Sequence, residues 1–165
     1  LGYIDKGEAE GAKLVVDGRG IQVEGNPDGY YVGGTLFDNV TTDMVIWREE
    51  IFGPVLSIVR APDYKTALDL VNSHEFGNGS AIFTSNGHTG RDFVREVQAG
   101  MVGVNVPVPV PMAFHSFGGW KRSVFGALNV HGPDGVRFYT RMKTATVRWP
   151  SGQKTVSEFS MPTLG

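Results

Sequence analysis

Residues 80–106 read SAIFTSNGHTGRDFVREVQAGMVGVNV, and this stretch decides the predicted fold. The short apolar runs at its two ends predict buried strands. Between them Phe93, Val94 and Val97 recur at helical spacing, which predicts a helix that turns these three side chains inward. Gly100 marks the predicted C-terminal end of that helix. Strand, helix and strand joined by short connections predict a parallel sheet with a right-handed crossover.

The chain before this stretch carries further strand and helix signals. Residues 12–16 predict a short strand, and residues 25–29, Gly-Asn-Pro-Asp-Gly, predict a turn. Residues 54–60 are apolar on both faces, which predicts a buried strand of a mostly parallel sheet. Asp63 is a favourable N-cap for the next helix, whose apolar residues recur at helical spacing up to Val71. The predicted fold class is therefore α/β, a mostly parallel sheet with flanking helices.

Composition and charge argue against several classes of function. The chain has 165 residues, of which 41% are hydrophobic and 19% charged, an ordinary composition for one globular domain or lobe. The net charge of -2 argues against a nucleic-acid partner. No apolar run reaches the roughly 20 residues that span a bilayer. No secretory signal pattern is visible, so we expect a cytoplasmic protein, with the mitochondrial matrix as the alternative.

Cysteine is absent from the chain. Its absence excludes a thiolate nucleophile, a disulfide and a cysteine-ligated zinc within this chain. We also expect no metal site, because the histidines lie far apart in the sequence: His74, His88, His115 and His131. Residues 1–10 begin with Leu1 and read like a helix already under way, so we expect the chain to be part of a longer protein.

Several ordered motifs resemble the aldehyde dehydrogenase superfamily over essentially the whole chain. The most specific is Glu-Glu-Ile-Phe-Gly-Pro-Val at residues 49–55. The others follow in the family's order: residues 69–72 with Gly77, 80–84, 100–105, 117–121, and 138–140 with 143–144. No Gly-x-Gly-x-x-Gly occurs, so the resemblance implies that this chain reaches a dinucleotide only at its nicotinamide end.

One branch of the superfamily is closer than the others. The proline-rich residues 105–111 resemble a loop of the CoA-acylating methylmalonate-semialdehyde dehydrogenases. Three shorter segments also match that branch: residues 116–117, 128–129 and 161–163. Arg122 and Ala127 depart from the sequence pattern of that branch. These two departures affect the expected substrate more than the expected reaction class.

The resemblance also implies how the chain is organised. It identifies the C-terminal part of an aldehyde dehydrogenase catalytic domain at residues 1–142, an oligomerisation strand at 143–150 and a C-terminal tail at 151–165. In the family a strand of this kind joins a neighbouring subunit, which implies a homodimer or homotetramer. The alternative is an edge strand that pairs within its own chain.

Three candidate site residues follow from the resemblance. Glu50 would accept hydrogen bonds from the hydroxyls of the nicotinamide ribose, which suits a carboxylate with two acceptor oxygens. Phe52 would lie against the nicotinamide ring, and Phe117 would line the aldehyde pocket. Without the motifs, Glu50 and Glu49 are interpreted as solvated loop acids, and the two phenylalanines as core aromatics. Glu49 keeps the solvated interpretation.

Four further polar residues lie in or beside the motifs. Lys121 would steer an anionic substrate or a CoA phosphate, or else it is an ordinary surface lysine. His115 and Ser116 would contact a polar substrate, or else they belong to a solvated loop. Asn105 ends a predicted strand, where an amide side chain usually satisfies loop backbone groups. We therefore predict a structural role for Asn105.

The implied function is NAD-dependent oxidation of methylmalonate or malonate semialdehyde to propionyl-CoA or acetyl-CoA, with loss of carbon dioxide. A cysteine thiolate outside this chain would attack the aldehyde, and CoA would be the co-substrate. The isolated chain is therefore expected to be inactive. Two alternatives stay open: a fragment of a hydrolytic aldehyde dehydrogenase that releases a free acid, and a non-catalytic oligomerisation module.

Overall fold

The structure of the protein is a computed structural model, and it describes residues 1–149. Within this range the helices are α1 (Gly2–Ala9), α2 (Val45–Arg48), α3 (Tyr64–Ser73), α4 (Gly87–Glu96) and α5 (Pro133–Tyr139). The strands are β1 (Lys13–Val16), β2 (Thr35–Asp38), β3 (Val55–Ser57), β4 (Phe76–Gly77), β5 (Gly79–Ile82), β6 (Met101–Val104) and β7 (Trp120–Lys121). No helix in the described range is long and apolar enough to cross a membrane.

The strands form three small sheets. The first has the order β1-β2-β3, with β1 antiparallel and β3 parallel to β2. β5 and β6 are parallel, and β4 and β7 are antiparallel. The α/β class is thus confirmed, but the parallel pattern is limited to two of the four strand pairs. The parallel pairs are joined through a helix, α2 or α4, whereas β1 and β2 are joined by a loop and β4 and β7 are separated in the chain by β5, α4 and β6.

Two hydrophobic cores hold these elements together. The first lies where α1 and α2 meet the β1–β3 sheet and contains Ile4, Ala12, Phe37, Val40, Met44 and Ile46. Gly7 allows α1 to approach closely, because a Cβ at this position would lie 2.9 Å from Ile46 Cδ1 and 3.0 Å from Phe37 Cζ. The second core surrounds Phe93, Val97 and Ala99 and packs α3 and α4 against β5 and β6.

The helix predicted after Asp63 begins as expected. The Asp63 carboxylate accepts a hydrogen bond of 2.8 Å from the backbone N–H of Thr66, and α3 follows directly. Two apolar residues, however, lie more outward than predicted. Val94 is 50% exposed because it borders an open groove beside Val104. Leu56 is 64% exposed, whereas Val55 on the opposite face of β3 packs against the first core, so the prediction of a strand buried on both faces was wrong.

The C-terminal segment of the described chain is exposed and has no regular secondary structure. Residues 140–149 belong to no helix or strand, and within the described range they pair with no other strand. Pairing of this segment inside its own chain is therefore not observed there. Residue 150, the predicted tail at 151–165 and the motif at 161–163 lie outside the described residues.

Candidate functional site

The segment at residues 49–54 leaves α2 in an extended conformation and turns sharply. Glu49 has φ −103° and ψ 145°. The Gly53 N–H donates to the Ile51 carbonyl oxygen at 2.8 Å, which closes the turn. The Pro54 carbonyl oxygen accepts from the Thr35 N–H at 2.8 Å, which ties the end of the segment to β2. The 49–54 segment is therefore held by a tight turn that is hydrogen-bonded to β2, a strand of the first core. This turn fixes the backbone that carries the side chains of residues 50–52.

Glu49 is exposed but has a protein partner. The Tyr3 hydroxyl on α1 donates to Glu49 Oε2 at 2.7 Å. This hydrogen bond is the main reason that the pKa of Tyr3 is raised above its ordinary value, since the phenol is held as a donor to a carboxylate. The prediction of a simply solvated Glu49 was therefore incomplete. No local sequence signal points to this contact, because the two residues are 46 positions apart.

Glu50 and Phe52 both face solvent. Within residues 1–149 the Glu50 carboxylate makes no hydrogen bond or ion pair. Phe52 is 97% exposed, so its alternative interpretation as a core aromatic was wrong: the turn at 51–53 directs the ring away from the core. An acceptor without a protein donor and an uncovered aromatic ring thus lie two residues apart. This pair can offer a ligand two acceptor oxygens and one apolar face.

Phe117 lies elsewhere, in a groove of about 480 Å³. The groove is lined by three stretches of chain and four single residues: 117–119, 123–125 and 128–131, with Asn78, Met101, Val110 and Phe138. Phe117 is partly buried, and its ring stacks on the His131 imidazole at 4.5 Å with 19° between the planes. No residue of the 49–54 segment lines this groove. Within the described chain the three candidate residues therefore lie in two separate places: Glu50 and Phe52 in the 49–54 segment, and Phe117 in the groove.

Gly118 explains why the loop can form the wall of this groove. A Cβ at Gly118 would overlap the side-chain amide oxygen of Asn129. The absence of a side chain lets the two stretches of loop meet, which keeps Phe117 beside His131. His131 had not been predicted as a neighbour of Phe117, and the sequence between them carries no regular spacing that would have indicated it.

Lys121 has a structural role that neither sequence interpretation foresaw. Its ammonium group donates to the carbonyl oxygens of Asn72 at 2.7 Å and His74 at 2.9 Å. These carbonyl groups lie at the C-terminal end of α3, where helix carbonyls lack intrahelical partners. The interpretation as an ordinary surface lysine was thus wrong, while the anion-steering role stays a prediction. Arg122 next to it pairs with Glu75, which adds a second tie between the loop and the α3–β4 connection.

Asn105 and Ser116 also serve the backbone. Asn105 follows β6 with φ 57°, and its side chain accepts from the Thr84 N–H at 2.9 Å and donates to the Thr84 carbonyl oxygen at 3.1 Å. This agrees with the predicted structural role. The Ser116 hydroxyl oxygen accepts from the Asp134 N–H at 3.1 Å, at the start of α5. His115 is exposed, and the centroid of its ring lies 4.5 Å from that of the adjacent Phe114 ring.

Metal chemistry finds no support in the described part of the chain. Residues 1–149 contain no group of three or more His, Cys, Asp or Glu side chains that could hold a metal ion. The candidate residues themselves offer hydrogen bonding by Glu50, apolar contact by Phe52 and Phe117, and aromatic packing by His131.

Comparison with known proteins gives a consistent pattern. The aldehyde dehydrogenase family matches residues 1–145. A malonate-semialdehyde dehydrogenase of Pseudomonas aeruginosa is 58% identical over 164 residues, which is 99% of this chain and 33% of that protein. A malonate-semialdehyde dehydrogenase of Bacillus subtilis strain 168 is 52% identical over 151 residues, 92% of this chain and 30% of that protein. This chain spans about a third of the length of the curated relatives that it matches.

Solved structures agree with the sequence relatives. The crystal structure of a methylmalonate-semialdehyde dehydrogenase from Oceanimonas doudoroffii has a TM-score of 0.84 and 56% identity, and the match covers 92% of this chain and 31% of that chain. The Mycobacterium tuberculosis aldehyde dehydrogenase complexed with NAD+ has a TM-score of 0.74 and 34% identity, covering 85% of this chain and 28% of that chain.

Proposed function

This chain belongs to the aldehyde dehydrogenase family, and from that premise we propose that it is the C-terminal part of an NAD-dependent semialdehyde dehydrogenase. The proposed substrates are malonate semialdehyde and methylmalonate semialdehyde. The proposed products are acetyl-CoA and propionyl-CoA, formed with loss of carbon dioxide and with CoA as co-substrate. The relatives at 58% and 56% identity carry these two semialdehydes in their names, which supports the choice.

One observation carries the proposal: the exposed pair formed by Glu50 and Phe52. Ribose hydroxyls are hydrogen-bond donors, and Glu50 has two acceptor oxygens without a donor in the described chain. A nicotinamide ring has a flat face, and Phe52 presents a ring that is 97% exposed. Covering such a ring contributes roughly 1.5–3 kcal/mol. The residues present therefore fit the nicotinamide end of the cofactor.

In the proposed reaction these residues bind and orient. When bound, NAD would supply the hydride acceptor for oxidation of the aldehyde. Glu50 would hold the ribose hydroxyls, and Phe52 would limit the tilt of the nicotinamide ring. Phe117 would form one wall of the aldehyde pocket and help to exclude water from the reacting carbon. The thiolate that attacks the carbonyl would come from outside this chain, since these residues include no cysteine.

The C-terminal segment has a second proposed role, in assembly. Residues 144–149 are exposed and take part in no ladder of the described chain, and the side chains of Val147 and Trp149 are 64% and 87% exposed. An exposed segment of this kind, without strand partners in the described chain, can add to a sheet of another subunit as an extended strand. We therefore include a homodimer or homotetramer formed through residues 143–150 in the proposed function.

The test uses the full-length gene product, incubated with NAD and malonate semialdehyde in the presence and absence of CoA. We expect NADH formation and an acyl-CoA product by mass spectrometry. The Glu50→Gln variant should bind NAD more weakly, while Glu24→Gln, a matched change of an exposed acid in the 21–34 loop, should not. A free acid formed at the same rate without CoA would favour the hydrolytic alternative. Failure to bind or reduce NAD would favour the non-catalytic module.

A further inference from the structure

Tyr3 lies on a helix that is firmly held against the rest of the molecule. Its neighbour Ile4 is 1% exposed in the first core. Arg19 ties the outer face of α1 to the following loop, because its guanidinium donates to Asp5 and Glu8, each at 2.7 Å. The Tyr3 hydroxyl is therefore presented from a fixed support, and not from a mobile surface side chain.

The partner of this hydroxyl is the residue next to Glu50. Glu49 accepts the Tyr3 hydrogen bond at 2.7 Å while its backbone is extended, with φ −103° and ψ 145°. In extended backbone, successive side chains point to opposite sides. Holding Glu49 on the α1 side therefore directs Glu50 to the other side. It also keeps the Glu49 carboxylate away from the acceptor site that Glu50 provides.

We propose that Tyr3 is a positioning residue for cofactor binding: its hydrogen bond to Glu49 sets the direction in which Glu50 meets the ribose hydroxyls. The inference rests on the proposed function, because it takes Glu50 to be the ribose-binding group. Without the Tyr3 hydroxyl, Glu49 gains freedom and the 49–52 segment must be ordered when the cofactor binds. That ordering weakens binding without removing any group that touches the cofactor.

The experiment measures the dissociation constant for NAD of full-length variants by fluorescence titration. Tyr3→Phe keeps the ring and its packing but removes the donor. We expect its dissociation constant to rise between roughly twofold and tenfold, the range for loss of one hydrogen bond. The matched control is Tyr64→Phe, since the Tyr64 hydroxyl makes an equivalent bond of 3.0 Å to Asp92 between α3 and α4. This control should lower stability while leaving NAD binding unchanged.

A double variant separates positioning from a general structural effect. If Tyr3 acts through Glu50, then Tyr3→Phe has no further effect on NAD binding in the Glu50→Gln background. The inference is overturned alone if Glu50→Gln weakens NAD binding but Tyr3→Phe does not. It is also overturned if Tyr3→Phe weakens binding by the same factor in both backgrounds. If Glu50→Gln leaves binding unchanged, the ribose-binding role of Glu50 in the proposed function fails as well.

Discussion

The ring of Phe117 stacks on the imidazole of His131, with 4.5 Å between the ring centroids and 19° between the planes. Because the planes are nearly parallel, the imidazole covers one face of Phe117 and restricts its rotation. The groove that both residues line is largely apolar in composition, with Met101, Val110 and Leu128 among its walls. This stack therefore gives the groove a wall of defined orientation.

Replacing the Phe117 ring should impair turnover without affecting the cofactor. For Phe117→Ala in the full-length protein we expect kcat/KM for malonate semialdehyde to fall roughly 10- to 200-fold, the range for a lost apolar pocket contact. The NAD dissociation constant should stay unchanged, since no residue of the 49–54 segment lines the groove. Phe83→Ala removes an exposed ring outside the groove and should retain activity. An unaltered kcat/KM in Phe117→Ala would contradict the assignment of the aldehyde pocket.

Lys121 should matter for stability. Lys121→Met removes the donor to the Asn72 and His74 carbonyl oxygens and leaves both groups partly buried. We expect the free energy of unfolding to fall by about 1–3 kcal/mol, measured by urea denaturation. Lys65→Met is the control, because Lys65 is exposed and its ion pair is with Asp69 on the same helix. Equal losses in the two variants would argue against the anchoring role.

The N-cap at Asp63 predicts a pH-dependent effect. The backbone N–H of Thr66 holds the pKa of Asp63 below its ordinary value, so the carboxylate stabilises the fold at pH values above its unfolded pKa. This contribution is lost as the pH falls through the folded pKa. Asp63→Ala should therefore lower the melting temperature on the order of a few degrees at pH 7, with a smaller difference in strong acid.

Asparagine provides the matched control for this cap. Asp63→Asn keeps an acceptor oxygen for Thr66 but removes the titrating group. Its melting temperature should stay closer to that of the unaltered chain at pH 7. A deficit of Asp63→Ala that is independent of pH would mean that the charge of the cap makes no contribution.

The isolated chain of 165 residues should not oxidise aldehydes. It contains no cysteine, so it cannot form the thioester that the proposed reaction requires. We expect no NADH absorbance at 340 nm above the blank, measured over roughly an hour at a protein concentration where the full-length protein is active. NAD-dependent oxidation by the pure chain would show that another group can act as the nucleophile, and would refute this prediction.

The C-terminal segment should control assembly. Val147 is exposed in a segment without strand partners in the described chain, and Val147→Asp places a charge there. We expect the full-length variant to dissociate to smaller species, measured by size exclusion with light scattering. Val136→Asp alters an equally exposed valine on α5 and should leave the oligomer intact. The proposed assembly role would be wrong if both variants kept the same mass.

Some structural features could be predicted because they depend on neighbouring residues. The cap at Asp63 and the turn at 25–29 follow from side-chain and backbone preferences within a few positions. The role of Asn105 was also predictable, because an amide at a strand end commonly bonds loop backbone. Outward positions such as Val94 and Leu56 were not, because burial depends on which elements cover a face.

The sequence by itself determined the family, the α/β class, the start of α3 and the absence of cysteine from this chain. Ordered motifs and residue types carry this information directly. Only the tertiary structure decided that Tyr3 holds Glu49 and that Lys121 anchors the end of α3. The partners in these contacts are 46 and 49 positions apart, so no local periodicity relates them. They meet because the cores and the β4–β7 pairing bring distant segments together.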